Sequence, residues 1–204
     1  HEVVTQIPRI AGPRYEMIDL PIALHRLVAI KAATSLQLLQ TYLFLSRDHG
    51  KTWTEPQLLP AQGIVPDRLL ELPDGRWIIS CHIAHPQTRF LTQRLWHSSD
   101  QGATWSGPVV VAEKPGLNLC EASILPCDAT TLVAFLRENS NQGWDAYKAI
   151  SRDGGLTWGE PIPFPIPACH RPVAGWLADG RALITCRFMQ GGKSWTGWWT
   201  QNTF

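Results

Sequence analysis

Three copies of one eight-residue turn motif constrain the fold of this sequence more than any other feature. The motif reads Ser-x-Asp-x-Gly-x-Thr-Trp and occupies residues 46–53, 98–105 and 151–158. Its first serines, Ser46, Ser98 and Ser151, are separated by 52 and then 53 residues. A fixed period of this length is the signature of a repeat architecture, in which each repeat is one supersecondary unit. The repeat therefore predicts a fold built from at least three similar units.

The motif predicts a hairpin turn. Ser and Asp side chains bond backbone N–H groups just downstream, and Gly adopts a positive φ that other residues resist. The Thr and Trp then begin the next strand, where the indole covers the edge of the core beneath the turn. Short apolar or aromatic segments precede each copy, as expected of strands that enter a turn. The three motif aspartates, Asp48, Asp100 and Asp153, are accordingly assigned to the scaffold and not to catalysis.

A second set of segments recurs in the same phase, at residues 66–82, 120–137 and 171–187. Each reads as strand, tight turn, strand. With the strands that flank the octet, this gives four strands in roughly 52 residues, which is one β-propeller blade. The sequence therefore predicts an all-β fold: a single β-propeller domain over residues 1–204 with three to four blades. Because propellers close with about four to eight blades, we expect part of a ring, completed by further chain or by self-association.

Composition narrows the classes of partner. The formal net charge is +1, so nothing favours nucleic acid as a partner. No apolar run has the length needed to span a membrane. Five cysteines cannot all be paired, which leans slightly towards a reducing compartment and otherwise leaves the localisation open. No Cys-x-x-Cys or clustered His–Cys spacing indicates a metal, and we expect no cofactor.

Equivalent positions of the repeat indicate where a site would form. Innermost strands of all blades run along a common axis, so equivalent residues converge on one funnel. Aligning the turn aspartates of the second set places Asp67, Glu121 and Pro172 together, flanked by Arg68 and Arg171. Charged residues among apolar neighbours are costly unless they are paired or face a wet cavity. We therefore expect these residues to share a cavity.

The same alignment reveals a second charged level at the end of the following strand. It superposes His82, Arg137 and Arg187, with one extra residue in the middle repeat. His82 and His85 lie at the mouth of an inner hairpin, where polar loop residues often bind ligands. A neutral imidazole suits sugar hydroxyls or proton transfer.

The octets and their surroundings resemble the Asp-box (BNR) repeat of the sialidase superfamily over roughly residues 40–190. Catalytic members of that superfamily are six-bladed propellers. They carry a glutamate that polarises a tyrosine nucleophile, followed on the next strand by an arginine that grips the substrate carboxylate. Glu121 and Arg137 match this pair in order, spacing and setting. The resemblance implies a sialidase-like glycoside hydrolase that acts on an anionic sugar, such as sialic acid.

The resemblance extends to other roles less completely. Arg171 or Arg187 would supply a further carboxylate ligand, and Asp67 is the candidate acid/base on geometry. The family's late-blade tyrosine has no match, because Tyr15, Tyr42 and Tyr147 lie elsewhere. A non-catalytic carbohydrate-binding or interaction propeller therefore remains an alternative. So does a polysaccharide lyase or other glycosidase that uses His82 and a neutralising arginine.

Each candidate also has a structural interpretation. Glu121 and Arg137 would serve equally as an ion pair between blades, and Asp67 with Arg68 as a salt bridge at a strand entry. Arg171 would hydrogen-bond loop carbonyls. For the tryptophans near the C-terminus, core packing is favoured over a sugar-stacking platform; these are Trp195, Trp198 and Trp199.

Overall fold

The structure is a computed structural model of the chain. It describes side chains for residues 40–64, 67–140 and 145–189, and the backbone also for residues 15–18, 26–31, 190 and 200–203. Every regular element in these residues is a β-strand. No helix long and apolar enough to cross a membrane is found among them. The three C-terminal tryptophans singled out above lie outside the described residues.

Fifteen strands in the described residues form four antiparallel sheets, each made of strands consecutive in the chain. This is the meander expected of propeller blades, so the predicted all-β propeller fold is confirmed. Blade I contains β1 (Tyr15–Ile18), β2 (Arg26–Lys31), β3 (Gln40–Leu45) and β4 (Gln57–Gln62). Blade II contains β5 (Leu70–Glu71), β6 (Trp77–Ala84), β7 (Leu91–Ser98) and β8 (Ser106–Ala112). Blade III contains β9 (Leu119–Pro126), β10 (Leu132–Glu138), β11 (Tyr147–Ser151) and β12 (Ile162–Pro163). Blade IV contains β13 (Cys169–Trp176), β14 (Ala182–Gln190) and β15 (Thr200–Thr203).

All three octets form the predicted turn, between the third and fourth strands of blades I, II and III. In each copy the serine Oγ accepts the glycine N–H at 2.8 Å. The aspartate accepts both the N–H and the hydroxyl of the threonine, and the indole N–H donates to the glycine carbonyl. Hydrogen bonds from the threonine lower the pKa of each aspartate to about 2. Each of these carboxylates is hydrogen-bonded within its own turn, in agreement with its assignment to the scaffold.

The core lies between the blades, where neighbouring sheets pack face to face. Blades I and II meet around Leu43, Trp77 and Ile79, and blades III and IV around Phe135 and Ala174. The first six residues of β6 are all buried, because both faces of this sheet are covered by neighbours. A run of buried residues in place of strict alternation is therefore the local signal of a strand that is covered on both faces. This stacking places the N-terminal ends of β9 and β13 side by side, and the charged cluster forms there.

Candidate functional site

A carboxylate between two arginines forms the centre of the site. Arg137 on β10 donates from Nη1 to both Glu121 oxygens, at 2.9 and 3.0 Å. Arg171 on β13 lies with its Nε 3.2 Å from Glu121 Oε2. The exposed fractions of the three side chains are 10% for Arg137, 22% for Glu121 and 46% for Arg171. The structure thus brings these three predicted residues together across the junction of blades III and IV, with Arg171 nearest to solvent.

The guanidinium of Arg137 is engaged by protein groups on every nitrogen. Besides its bonds to Glu121, its Nε donates to His170 Nε2 at 2.8 Å and its Nη2 to Asn139 Oδ1 at 2.7 Å. A ligand carboxylate could bind this fork bidentately only by displacing one of these acceptors. Arg137 therefore holds Glu121 in place, while Arg171 offers the more accessible charge.

The strand register shows why Glu121 and Arg171 meet. Pairing of β9 with β10 is irregular between Phe135 and Arg137, and the pairing of β13 with β14 is irregular at the same place, between His170 and Val173. Each irregularity is a β-bulge, with two inner-strand residues opposite one partner. Glu121 and Arg171 are the first residues of the two bulges. They are therefore equivalent positions of successive blades.

This register corrects the alignment made on the turn aspartates, which placed Asp67, Glu121 and Pro172 together. In blade III the turn carries its aspartate one position earlier than in the other two repeats, so the alignment was displaced by one residue along the inner strand. Counted back from the strand pair that closes each of these turns, Asp67 and Pro172 occupy the position of Ala122. The second level is confirmed, because three residues stand at the same position of their strands: His82, Arg137 and Arg187.

The backbone is strained at both bulges. Glu121 has φ +45° and Arg171 has φ +53°, in the left-handed region. Non-glycine residues adopt such values at a cost of about 1–3 kcal/mol and keep them only where the surroundings impose them. Strain of this kind clusters at functional sites, and here it is present at two ion-paired residues.

The electrostatics of the site favour an ionised Glu121 beside neutral histidines. Burial raises the pKa of Glu121, but the Arg137 hydrogen bond and the charges of Arg137 and Arg171 more than offset this, so the net pKa is lowered. Burial lowers the pKa of His82 to about 4; the charge of Glu121 raises this pKa by a smaller amount, and the charge of Arg137 lowers it further. Burial and the charges of Arg137 and Arg187 lower the pKa of His170 to about 4. At neutral pH the three arginines outnumber the one carboxylate.

Other predicted residues occupy different places. Asp67 and Arg68 precede β5 and are half-buried; Asp67 Oδ2 and Arg68 Nε have no hydrogen-bond partner among the described residues. His85 caps the β6–β7 turn, where its Nδ1 accepts the N–H groups of Gln87 and Thr88 at 3.3 Å. The contacts described for the Glu121 cluster include none of Asp67, Arg68 and His85. Their assignment to the site stays a prediction.

Sequence reasoning missed His170, Asn139 and Gln93, which also belong to this region. Asn139 follows Arg137 by two residues, so the period of a strand would have placed it on the same face. His170 immediately precedes Arg171, but its contact with Arg137 depends on how blades III and IV pack. Gln93 has an unremarkable sequence context, and only its pairing with His82 brings it to β9.

The fold and the cluster define a class of protein: an all-β propeller with Asp-box turns and an arginine-rich cluster on the first two strands of its blades. The model of the BNR repeat-like domain matches residues 23–193, and the chain belongs to this family. A search of curated proteins by sequence gave no match.

Solved structures with the same fold include glycosidases. A protein of unknown function from Dyadobacter fermentans is 23% identical, with TM-score 0.64, covering 80% of this chain and 53% of that one. An α-L-arabinanase from Penicillium chrysogenum, complexed with arabinobiose, is 17% identical, with TM-score 0.68 and coverages of 94% and 60%. A variant of NanB sialidase from Streptococcus pneumoniae is 18% identical, with TM-score 0.56 and coverages of 72% and 23%. The chain thus spans just over half the length of the first two structures.

Proposed function

We propose that this chain carries the sugar-binding centre of a glycoside hydrolase, with Glu121 as its reacting carboxylate. One observation carries the proposal: an ionised glutamate, held by two arginines, sits on a strained bulge at the end of an inner strand. Chains of similar fold are an arabinanase and a sialidase. Both act on glycans, which supports the reaction class.

The charge of the site favours a sugar that bears a carboxylate, such as sialic acid. Glu121 balances one arginine, and the remaining positive charge would attract an anion. Arg171, with a side chain 46% exposed, is the proposed ligand for that carboxylate, because a guanidinium fork binds carboxylates bidentately. Arg187 would add to the positive field; its pKa is lowered by burial and by Arg137.

Hydrolysis of a glycoside also requires a second acid/base group. Asp67 is the candidate in this chain, because its buried Oδ2 has no hydrogen-bond partner among the residues that the structure describes. Glu121 would then activate the nucleophile or an attacking water. A lyase that uses His82 as its base gains no support, since His82 is 5% exposed and its Nδ1 already accepts a backbone N–H.

A non-catalytic carbohydrate-binding propeller is the second candidate, and one observation favours it. Both oxygens of Glu121 are engaged by arginines, and its pKa is lowered. A carboxylate stabilised in this way is a weaker base. In a binding module the same pair would orient Arg171 towards the ligand.

An assay against fluorogenic sialosides, uronides and neutral glycosides, arabinosides included, tests the proposal. We expect turnover of one class that Glu121→Gln abolishes. The exposed Glu55→Gln variant removes the same charge outside the cluster and should retain the activity. Arg171→Gln should raise KM at least tenfold for a carboxylate-bearing substrate and leave neutral glycosides unaffected.

The outcomes separate the candidates. Sugar binding without turnover, weakened by Arg171→Gln, would establish the binding module. Turnover that survives Glu121→Gln would overturn the catalytic assignment, and a chain that neither binds nor cleaves any of these sugars would contradict both functions.

A further inference from the structure

Two hydrogen bonds cross from blade II to the strained segment of β9. The Glu121 N–H donates to His82 Nδ1 at 3.3 Å, and the Ala122 N–H donates to Gln93 Oε1 at 3.4 Å. The two acceptors are direct partners across β6 and β7. They therefore reach β9 as a pair, from one position of the neighbouring blade.

The bulge explains why these two N–H groups need external acceptors. Glu121 and Ala122 together face one residue of β10, so the ladder hydrogen bonds are interrupted there. A buried backbone N–H without an acceptor is rare and costly. His82 and Gln93 are 5% and 0% exposed, so they replace the missing ladder bonds in a region that water does not reach.

This arrangement fixes the protonation state of His82. A backbone N–H can only donate, so Nδ1 must carry no proton and the imidazole must be neutral with its proton on Nε2. The burial that lowers the pKa of His82 to about 4 keeps it in this form at neutral pH. The charged groups that act on it are Glu121 and Arg137.

We propose that His82 and Gln93 are positioning residues that hold the backbone of the β9 bulge and so aim the Glu121 carboxylate. The inference rests on the proposed function for its effect on activity. It also gives His82 a different task from contact with the sugar. Through the Glu121 N–H, the neighbouring blade fixes the φ of +45° from which the side chain projects.

The equivalent bulge on β13 shows that the packing of two blades does not by itself require a pair of side-chain acceptors from the preceding blade. There the residue level with Ala122 is Pro172, which has no N–H to donate. On β13 it is Ala174, two residues further along the strand, whose N–H donates to blade III, at 3.1 Å from Ser123 Oγ. A bulge can thus exist without the acceptor that Gln93 provides, and the pair on blade II serves the residue with the proposed chemistry.

Matched variants test the role. His82→Leu and Gln93→Met remove one acceptor each, whereas His82→Asn keeps an oxygen near the position of Nδ1. On the substrate found in the assay above, we expect the first two to lower kcat ten- to hundredfold with little change in KM, since a small misplacement costs about that much. His82→Asn should stay within about threefold of the wild type.

Gln57→Met is the control for loss of a bond between blades. It removes the Gln57 Nε2 donation to the Gly102 carbonyl, 2.6 Å long, at the octet turn of blade II, and should leave kcat unchanged. Unchanged kcat in a folded His82→Leu variant would overturn the proposal. An equal loss in Gln57→Met would do the same, because the effect would then be general destabilisation.

A second measurement needs neither activity nor a variant. Nitrogen-15 NMR of the wild-type chain at pH 7 should show His82 with an unprotonated Nδ1, and the Glu121 amide should exchange slowly with solvent. A proton on Nδ1 or a fast-exchanging Glu121 amide would overturn the positioning role. If no glycoside is cleaved but these signals are present, the proposed function fails and the positioning of Glu121 stands.

Discussion

At the scale of single residues, the two arginines that contact Glu121 have different tasks because their contacts differ. Arg137 donates from every nitrogen to protein acceptors, whereas Arg171 makes one ion pair and has a half-exposed side chain. Removing one partner of a buried pair leaves an uncompensated charge, which is far more costly than losing an exposed pair. Position in the repeat identified both arginines, but only the contacts separate the structural one from the accessible one.

The buried histidines predict how stability depends on pH. The folded-state pKa of His82 and of His170 is about 4, below the ordinary value of 6.5, so the unfolded chain binds more protons between these values. Stability is therefore complete above about pH 6.5 and falls as the pH drops towards 4. For His82 the loss amounts to about 3 kcal/mol at pH 4. Urea unfolding from pH 7 to pH 4 would measure it.

His82→Asn is the matched variant for this titration, because it removes the ionisable group and retains an acceptor. Its stability should fall less steeply over the same interval. The octet aspartates, with pKa about 2, lose their contribution only below about pH 3.8 and so do not confuse the result. Equal pH dependence of variant and wild type would show that His82 titrates normally in the folded chain.

At the scale of elements, the octet turns also anchor one blade to the next. Gly102 has φ +89°, and a Cβ there would lie 3.0 Å from both Leu43 and Trp77 in the core between blades I and II. Gly75, in the β5–β6 turn, has φ +85° and open space around the same position. The two glycines thus share a backbone conformation and differ in their surroundings.

This pair yields a prediction about substitution by alanine. Gly75→Ala should cost only the backbone strain, about 1–2 kcal/mol. Gly102→Ala should cost that strain plus overpacking of about 1–3 kcal/mol. Chemical unfolding of both variants gives the comparison. Equal losses would mean that blade I yields to the extra methyl group, and that the turn is not fixed against the core.

The sequence predicted the strands and turns better than the residue positions at the site ends of β9 and β13, for a physical reason. The octets could be predicted because each turn is closed by hydrogen bonds within eight residues. The strands that flank them could be predicted for the same reason, since their signal is local. The bulges at Glu121 and Arg171 depend on pairing between strands, and the turn of blade III, with Asp128 one position early, displaced the alignment there. Contacts between blades, such as those of His170 and Gln93, have no local signal at all.

At the scale of the whole molecule, the face of blade IV that is turned away from blade III resembles a surface that packs against another blade. Val173 and Leu183 are 42% and 48% exposed. By register they are equivalent to Ser123 and Val133 of blade III, which face blade IV: Ser123 accepts its Ala174 N–H, and Val133 packs against their shared core. In a longer chain a further blade would cover this face, and in a sample of this chain alone we expect a second copy to do so.

Sedimentation velocity over a range of concentrations tests this expectation. The mass should rise with concentration, because burying the two apolar side chains favours association. Leu183→Lys should abolish the rise. Leu156→Lys, at an equally exposed leucine in the octet of blade III, is the control and should not. A mass that stays at one chain at every concentration would contradict the expectation.

The bulge on β9 has a consequence for how such a site can change over generations. It adds one residue to the inner strand, and regular pairing with β10 continues on either side with the register shifted by one residue. The paired residues on either side of the bulge therefore keep the alternation of inward and outward side chains, whereas the added residue does not have to follow it. Glutamate in one repeat and arginine in the next show two occupants of the same place. Such a position lets a duplicated blade acquire new chemistry while selection continues to preserve its sheet.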